Sequence, residues 1–246
     1  MWIIYPLLFL AGFVDSIAGG GGLISISSFL AIGVPPHLAL GTNKFSAFLG
    51  TGLSTLYFAR RGHIKWDSAI YAFGGALIGS MAGARLVLLL DERTLAWLML
   101  IAIPAAAILP IVRKDFGSIE RKLPPIRNIA YSLLTGFVIG GYDGFFGPGA
   151  GTFLILAFTA VLGLKLLTAC GNAKAVNFAS NIGAVAMFMG SGDIDYGLGV
   201  PCAACALLGN YLGARLAVKN GVKIIRPAML FVIALLLIKI AGNLWR

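Results

Sequence analysis

The chain has 246 residues, of which 59% are hydrophobic and only 11% charged, and its mean hydropathy is +0.93. Soluble domains carry about 25% charged residues, so this composition excludes an ordinary water-facing surface and indicates an integral membrane protein. The net charge of +10 comes mostly from short loops between apolar runs. That placement argues against nucleic-acid binding and follows the positive-inside rule.

Apolar elements follow one another along the whole chain, five in each half. Their runs are long and do not alternate, so helices are favoured over a β-barrel. A full span needs ~20 apolar residues, so two of the elements, 22–35 and 149–163, are either thin spans or re-entrant half-helices. The fold class predicted is an all-α polytopic membrane protein with about eight to ten transmembrane segments. In chain order the elements are 2–17, 22–35, 40–59, 67–89, 93–112, 128–143, 149–163, 168–189, 196–217 and 224–242.

The second half of the sequence repeats the first at an offset of 130 residues. The run Gly83-Ala84-Arg85-Leu86 returns as Gly213-Ala214-Arg215-Leu216, and each copy completes a G-x-x-x-G-A-R-L motif. Equivalent loops reverse their charge, since 60–65 is basic whereas 190–195 is acidic. With five crossings in each half, the loops on one side carry twelve basic residues and those on the other carry two.

This charge pattern predicts two inverted repeats rather than two parallel ones. The first transmembrane repeat is 1–112 and the second is 128–246, and a basic linker at 113–127 joins them on the cytoplasmic side. Four crossings in each half would leave the copies parallel, and the same loops would then be divided less cleanly by charge.

A glycine-rich break interrupts each half shortly after an aspartate, Asp15 or Asp143. Each glycine costs a helix roughly 1 kcal/mol against alanine, and irregular backbone inside a membrane needs protein or a water-filled cavity to satisfy it. Matching breaks in the two halves predict a transporter binding site, and helix N-termini at the breaks favour anions. The glycines are Gly19, Gly20, Gly21 and Gly22 in the first half, and Gly147, Gly149 and Gly151 in the second.

Two lysines, Lys44 and Lys174, occupy equivalent positions inside apolar spans. Each costs roughly 2.5–3.5 kcal/mol to insert, which makes it a functional candidate, with snorkelling to a helix end as the alternative. Asp15 and Asp143 are candidates to carry a coupling proton or to neutralise these lysines. Neighbouring amides and hydroxyls suit a small oxyanion, although interhelical hydrogen bonds are the alternative explanation. These neighbours are Thr42, Asn43, Asn172, Asn177 and Asn181.

The chemistry of an enzyme is not evident. The cysteines and histidines lack partners at metal-ligand spacing, and no nucleophile–base pair stands out, so neither a metal nor a cofactor is expected. The expected partners are a small anionic substrate and the lipid bilayer, and the G-x-x-x-G patches permit a homodimer.

The motifs resemble those of the TauE/SafE family, which comprises sulfite exporters and related anion permeases. The resemblance rests on 12–22 and 35–44 in the first half and on 141–152, Ala173, Lys174 and 177–181 in the second, and it covers nearly the whole chain. It implies transport of sulfur-containing oxyanions such as sulfite, sulfoacetate or other organosulfonates, often as export. It also carries the family's glycine motifs onto Gly19 to Gly22 and Gly147 to Gly151, and its lysine positions onto Lys44 and Lys174.

Together these features predict a multi-pass secondary transporter of the cell inner membrane, which exports small sulfur-containing anions by alternating access. The anion site is predicted near the midplane, where the two glycine breaks meet. Two alternatives stay open: a passive anion channel, and an intramembrane enzyme or scaffold that transports nothing.

Overall fold

The computed structural model describes residues 2–95, 97–98, 123–225 and 227–229, and within these residues every regular element is a helix. The prediction of an all-α protein is therefore confirmed for this part of the chain. Most of the predicted elements at 93–112 and 224–242, and most of the linker at 113–127, lie outside the described residues. The helices are α1 (Ile4–Ala18), α2 (Gly21–Ala31), α3 (Pro36–Arg60), α4 (Trp66–Leu88), α5 (Pro125–Phe145), α6 (Ala150–Ala160), α7 (Leu166–Ser191) and α8 (Tyr196–Asn220).

Local sequence signals set several helix ends. Pro36 and Pro125 open α3 and α5, where the missing N–H of proline costs no intrahelical hydrogen bond. Gly19 closes α1 in the left-handed conformation, with φ 79°, and its N–H donates to the carbonyl of Asp15. Asp195 caps α8 by accepting a hydrogen bond from the N–H of Leu198.

Helices α2 and α6 are both short, at 11 residues each. Such a helix is about 16 Å long, whereas the hydrocarbon core of a bilayer is about 30 Å thick. Each of them also folds back along the helix before it. A Cβ atom on Gly21 would lie 2.3 Å from the carbonyl oxygen of Ala11, and the rings of Tyr142 and Phe153 are 5.5 Å apart. We call α1–α2 the first hairpin and α5–α6 the second hairpin.

The two halves contact each other reciprocally: α1 packs on α8, and α5 packs on α4. A Cβ on Gly209 would lie 2.1 Å from the carbonyl oxygen of Phe9, and one on Gly79 would lie 2.2 Å from that of Phe137. The G-x-x-x-G motifs therefore allow backbone-to-backbone packing between helices of one chain. The patches that permit a homodimer in the sequence are occupied here by helices of the same molecule.

Helices α3 and α7 cross at the centre, and residues that are equivalent in the repeat meet there. The rings of Phe48 and Phe178 stack at 5.4 Å, and Asn181 Nδ2 donates to Thr51 Oγ1 at 3.2 Å. Among the described helices, α4 and α8 are long and apolar enough to cross a membrane. In contrast, α3 and α7 bury many polar side chains, including the two lysines. The polar interior of the protein is therefore built on α3 and α7.

Candidate functional site

A cavity of about 40 Å³ lies where the tips of the two hairpins meet the middle of α3. One water molecule needs about 10–15 Å³, so the space holds roughly three water-sized groups, the size of a small oxyanion. The predicted residues that line it come from both breaks and both central helices. They are Gly19, Gly21, Gly22, Asn43, Lys44, Gly147, Asn177 and Asn181, with both predicted proton carriers, Asp15 and Asp143.

The hairpin tips touch directly beside this cavity. Thr152 Oγ1 donates to the carbonyl of Ala18 at 2.7 Å. A Cβ atom on Gly19 would lie only 2.2 Å from the carbonyl carbon of Gly151. Glycine is therefore required at this contact, because the backbones approach more closely than any side chain allows.

Two buried ion pairs connect the halves crosswise. Lys44 Nζ contacts Asp143 Oδ1 at 2.7 Å, and Lys174 Nζ contacts Asp15 Oδ2 at 2.6 Å. Each lysine of one repeat thus pairs with the aspartate of the other. Ion pairs in a dry interior are stable only when both charges are compensated, and here two cations balance two anions.

The two pairs differ in their access to the cavity. The side chain of Lys174 is fully buried and is absent from the cavity wall, whereas Lys44 belongs to it. Asp143 uses both of its oxygens, since Lys44 holds Oδ1 and the hydroxyl of Ser180 donates to Oδ2. Asp15 engages only Oδ2 among the described residues, and its side chain is 15% exposed. Lys44 is therefore the cation that faces the cavity, and Asp15 is the carboxylate with an oxygen to spare.

Hydrogen bonds orient two asparagines of the cavity as donors. Ser25 Oγ donates to Asn43 Oδ1 at 2.5 Å, and Asn181 Nδ2 donates to Asn177 Oδ1 at 2.8 Å. Each amide oxygen already accepts a hydrogen bond, whereas the Nδ2 groups of Asn43 and Asn177 donate none within the described residues and can meet a ligand. Amide N–H groups beside an ammonium ion form a surface that is complementary to an oxyanion.

The start of α2 adds backbone donors to the same wall. Gly21 and Gly22 are the first residues of this helix and line the cavity, and no side chain caps its N-terminus. The first N–H groups of a helix lack intrahelical acceptors and carry a partial positive charge. Together with Lys44 and the two amides, they give this side of the cavity an electrostatic preference for anions.

Six of the predicted site residues do not line the cavity: Gly20, Thr42, Gly149, Gly151, Asn172 and Lys174. Two of them hold loops of the opposite half. The N–H of Asp195 donates to Thr42 Oγ1 at 3.0 Å. Asn172 accepts from the N–H of Lys65 at 2.8 Å and donates to the carbonyl of Lys65 at 3.2 Å. These equivalent contacts fasten the loops that precede α8 and α4.

The substitution Asn172→Leu is expected to destabilise the protein by about 1–3 kcal/mol, because it removes two hydrogen bonds worth about 0.5–1.5 kcal/mol each. Thr42→Val removes one such bond and is expected to cost about half as much. Denaturant unfolding in detergent measures both losses, and equilibrium binding of a small oxyanion is expected to stay unchanged. A tenfold loss of oxyanion affinity at wild-type stability would instead make Asn172 a ligand.

Three polar residues of the cavity were not singled out in the sequence: Ser25, Ser46 and Asn210. Ser25 and Ser46 resemble the many small residues of membrane helices, and nothing in the pattern distinguishes them. Asn210 carries a usable signal, because it is the one asparagine in the apolar element at 196–217. Across the described residues, no group of histidine, cysteine, aspartate and glutamate is arranged to hold a metal ion.

Comparisons with known proteins find relatives along nearly the whole chain. The family model described as Sulfite exporter TauE/SafE matches residues 4–240. The chain is 34% identical over 240 residues to a probable membrane transporter protein, ORF9, of a Sinorhizobium species, which covers 98% of this chain and 92% of the relative. It is 34% identical to the probable membrane transporter protein YfcA of Escherichia coli K12, over 97% of this chain and 88% of YfcA. A probable membrane transporter protein of Haemophilus influenzae is 35% identical over 92% and 88% of the two chains. No solved structure matches the chain.

Proposed function

Starting from the fact that this chain belongs to the sulfite exporter TauE/SafE family of membrane transporters, we propose that it is a secondary active transporter of small sulfur-containing anions. The substrate is sulfite, sulfoacetate or another organosulfonate, and the direction is export across the cell inner membrane. One observation carries the proposal: the cavity between the hairpin tips presents Lys44, two amide N–H donors and a helix N-terminus to the same small space.

The ligands that we propose for the anion are Lys44, Asn43, Asn177 and the backbone N–H groups of Gly21 and Gly22. Lys44 supplies the positive charge, and its hydrogen bonds to a charged ligand are shorter and stronger than those of neutral groups. Lys174 has a different role in this proposal. It holds Asp15 in place from behind the cavity wall, at 2.6 Å.

Charge balance favours coupling to protons. The two ion pairs have no net charge, so a monoanion that enters the cavity leaves an uncompensated negative charge in a poorly solvated place. Protonation of one aspartate removes that charge. Asp15 is the better candidate, because one of its carboxylate oxygens has no partner among the described residues, whereas both oxygens of Asp143 are engaged.

Alternating access requires two related halves, and we propose that these halves are inverted repeats. The reversed charge of equivalent loops and the reciprocal packing of α1 on α8 and α5 on α4 support this arrangement. The hairpins enter from opposite faces as re-entrant elements and meet at their tips near the midplane. Because α2 and α6 have 11 residues each, they reach about half-way through the bilayer.

Flux into proteoliposomes tests the function. Purified protein is reconstituted, and uptake of sulfite, sulfoacetate and sulfate is measured with and without a pH gradient. We expect saturable flux of one sulfur oxyanion that accumulates when a gradient is imposed. Flux that does not saturate would favour the passive channel, and no flux from correctly inserted protein would move the chain to another anion class or to the enzyme or scaffold alternative.

The double variant Asp15→Asn/Lys174→Gln is expected to lose pH-driven accumulation but to keep anion exchange down a concentration gradient. Both charges of one ion pair are removed together, which avoids a lone buried ammonium ion. Counterflow exchange measures binding at Lys44, whereas accumulation under a pH gradient measures coupling. Accumulation at the wild-type level would rule out Asp15 as the proton carrier.

A further inference from the structure

One cavity residue, Asn210 of α8, does not fit the pattern of donors. Its side chain is 2% exposed, and its Nδ2 donates to the carbonyl of Ala206 at 3.0 Å. Its Oδ1 is buried and has no hydrogen-bond partner among the described residues. Buried polar groups are almost always satisfied, and Asn210 is a residue of the cavity, so its unpartnered oxygen calls for a ligand that satisfies it.

The orientation of this amide is fixed by its surroundings. Turning the amide over would bring Oδ1 against the carbonyl oxygen of Ala206, and two acceptors cannot hydrogen-bond to each other. The amide also sits in a notch made by two glycines. A Cβ atom on Gly12 or Gly50 would lie 2.9 Å or 2.4 Å from Nδ2. The notch and the Ala206 carbonyl together keep the nitrogen on one side and leave the oxygen as the free group.

The hydrogen bonding of Asn210 is therefore the reverse of that of Asn43 and Asn177. In those two residues the amide oxygen accepts a hydrogen bond, whereas in Asn210 the amide nitrogen donates one N–H to Ala206 and the oxygen is unpartnered among the described residues. An anion whose surface consists only of acceptor oxygens leaves Asn210 Oδ1 without a partner. An anion that carries one hydrogen-bond donor satisfies the donors and the acceptor at once.

We infer that the transported anion carries its own hydrogen-bond donor, and that Asn210 Oδ1 selects for it. The chemical class is a monoanion with an O–H or N–H group beside its acidic head, such as a monoprotonated oxyanion or a sulfonate with an adjacent amino or hydroxyl group. This inference rests on the proposed function, since it concerns the anion bound at Lys44. It adds Asn210 as a residue that determines specificity rather than charge.

Two anions of nearly equal size separate this inference from the proposed function. Sulfamate and methanesulfonate are both monoanions at neutral pH. Sulfamate carries an amino group where methanesulfonate carries a methyl group. Isothermal titration of the full chain in lipid nanodiscs at pH 7 is expected to show about tenfold tighter binding of sulfamate, as one additional hydrogen bond provides. In Asn210→Leu the ratio of the two affinities is expected to fall to about one, because the acceptor that distinguishes sulfamate from methanesulfonate is removed.

A matched control and a second variant keep the test interpretable. Thr55→Val removes another buried, unpartnered oxygen, but Thr55 does not line the cavity, so this variant is expected to keep the preference. Asn210→Ser introduces the residue that the equivalent position, Ser80, already carries inside α4, so the helix is expected to fold if the leucine variant does not.

The outcomes are distinct. Equal binding of both anions by the wild-type protein, or a preference for sulfamate that survives in both Asn210 variants, would overturn the inference and leave the anion-transport proposal standing. Binding of neither anion, by protein that is folded and inserted, would overturn the proposed function and this inference with it.

Discussion

Replacing Lys44 by glutamine is expected to abolish measurable anion flux. Lys44 is the lysine that lines the cavity, and a hydrogen bond to a charged partner contributes about 1.5–3 kcal/mol, so anion affinity falls by about 10–100-fold. The same change leaves Asp143 buried without its cation. Removing one partner of a buried pair costs about 3–5 kcal/mol, so the single variant is also expected to be unstable.

The double variant Lys44→Gln/Asp143→Asn separates these two effects. It replaces a buried ion pair by a neutral amide pair, which is often tolerated, and stability is expected to return towards the wild-type value. Flux is expected to stay lost, because the cation that faces the anion is still absent. Thermal unfolding in detergent reports the first effect, and sulfite uptake by proteoliposomes reports the second.

Lys219→Gln is the charge-matched control. Lys219 is exposed at the end of α8, and its loss is expected to change neither stability nor flux. If the Lys44→Gln/Asp143→Asn protein folded and transported sulfite at the wild-type rate, Lys44 would not be a ligand. The cavity would then not be the transport site, since the other described residues that line it are neutral or acidic.

The result for Lys44→Gln/Asp143→Asn is best compared with that for Asp15→Asn/Lys174→Gln. The two double variants remove the two equivalent ion pairs that join the halves, yet the expected losses differ, because Lys44 faces the cavity and Lys174 does not. If the two halves contributed equally to the site, both variants would lose the same function. The expected difference therefore tests whether the anion binds next to Lys44, on the side of the first hairpin, rather than midway between the halves.

Much of this arrangement follows from the sequence. Hydropathy predicts the helices, and the repeat at 130 residues identifies Lys44 and Lys174 as equivalent. The glycine runs predict where the hairpin tips lie, because glycine weakens a helix and has no side chain to hold two backbones apart. The sequence makes the two aspartates candidates to carry a coupling proton or to neutralise the lysines, and each aspartate lies within 2.7 Å of a lysine.

The crosswise pairing could not be predicted from the sequence. Asp15 is much closer along the chain to Lys44 than to Lys174, so pairing within one half is the simpler expectation. The observed pairs run between the halves because α1 packs on α8 and α5 packs on α4, which carries each hairpin tip to the central helix of the other repeat. Long-range packing of this kind is set by many small contacts and leaves no local signature.

Thr42 and Asn172 show a second limit. Both lie beside the lysines, and their polarity suits an oxyanion as well as it suits a structural hydrogen bond. The structure instead joins them to the backbone of Asp195 and Lys65, in loops of the opposite half. The role of a polar residue near a helix start cannot be assigned until the segment that packs against it is known. The repeat doubled this ambiguity, because both equivalent residues make the same structural contact.

Replacing Gly19 by alanine is expected to destabilise the protein by about 4 kcal/mol or more. Two costs add at this position. A non-glycine residue in the left-handed conformation, here with φ 79°, costs roughly 1–2 kcal/mol. In addition, the new Cβ would lie 2.2 Å from the backbone of Gly151, which has no flexible end that could move aside. The second hairpin must be displaced, and its contact with the first hairpin is lost.

Two further alanine variants divide these costs. Gly33 also has a positive φ, 85°, but a Cβ there would meet nothing within 4 Å, so Gly33→Ala carries the conformational cost alone. Gly151 lies inside α6 without a positive φ, and its Cβ would lie 2.5 Å from the Cα of Gly19, so Gly151→Ala carries the steric cost alone. Unfolding in detergent and sulfite flux are measured for all three variants.

We expect Gly33→Ala to keep full flux at a modest loss of stability, and Gly151→Ala to lose flux because the hairpin tips are forced apart beside Lys44. If Gly19→Ala were no less stable than Gly33→Ala, the tips could not be in contact in the working protein. The cavity would then be open on that side, and the anion would no longer be enclosed between the two halves. Alternating access depends on that enclosure, because a carrier must close one path before it opens the other. A destabilised Gly151→Ala protein that nevertheless moved sulfite without saturation would favour a channel.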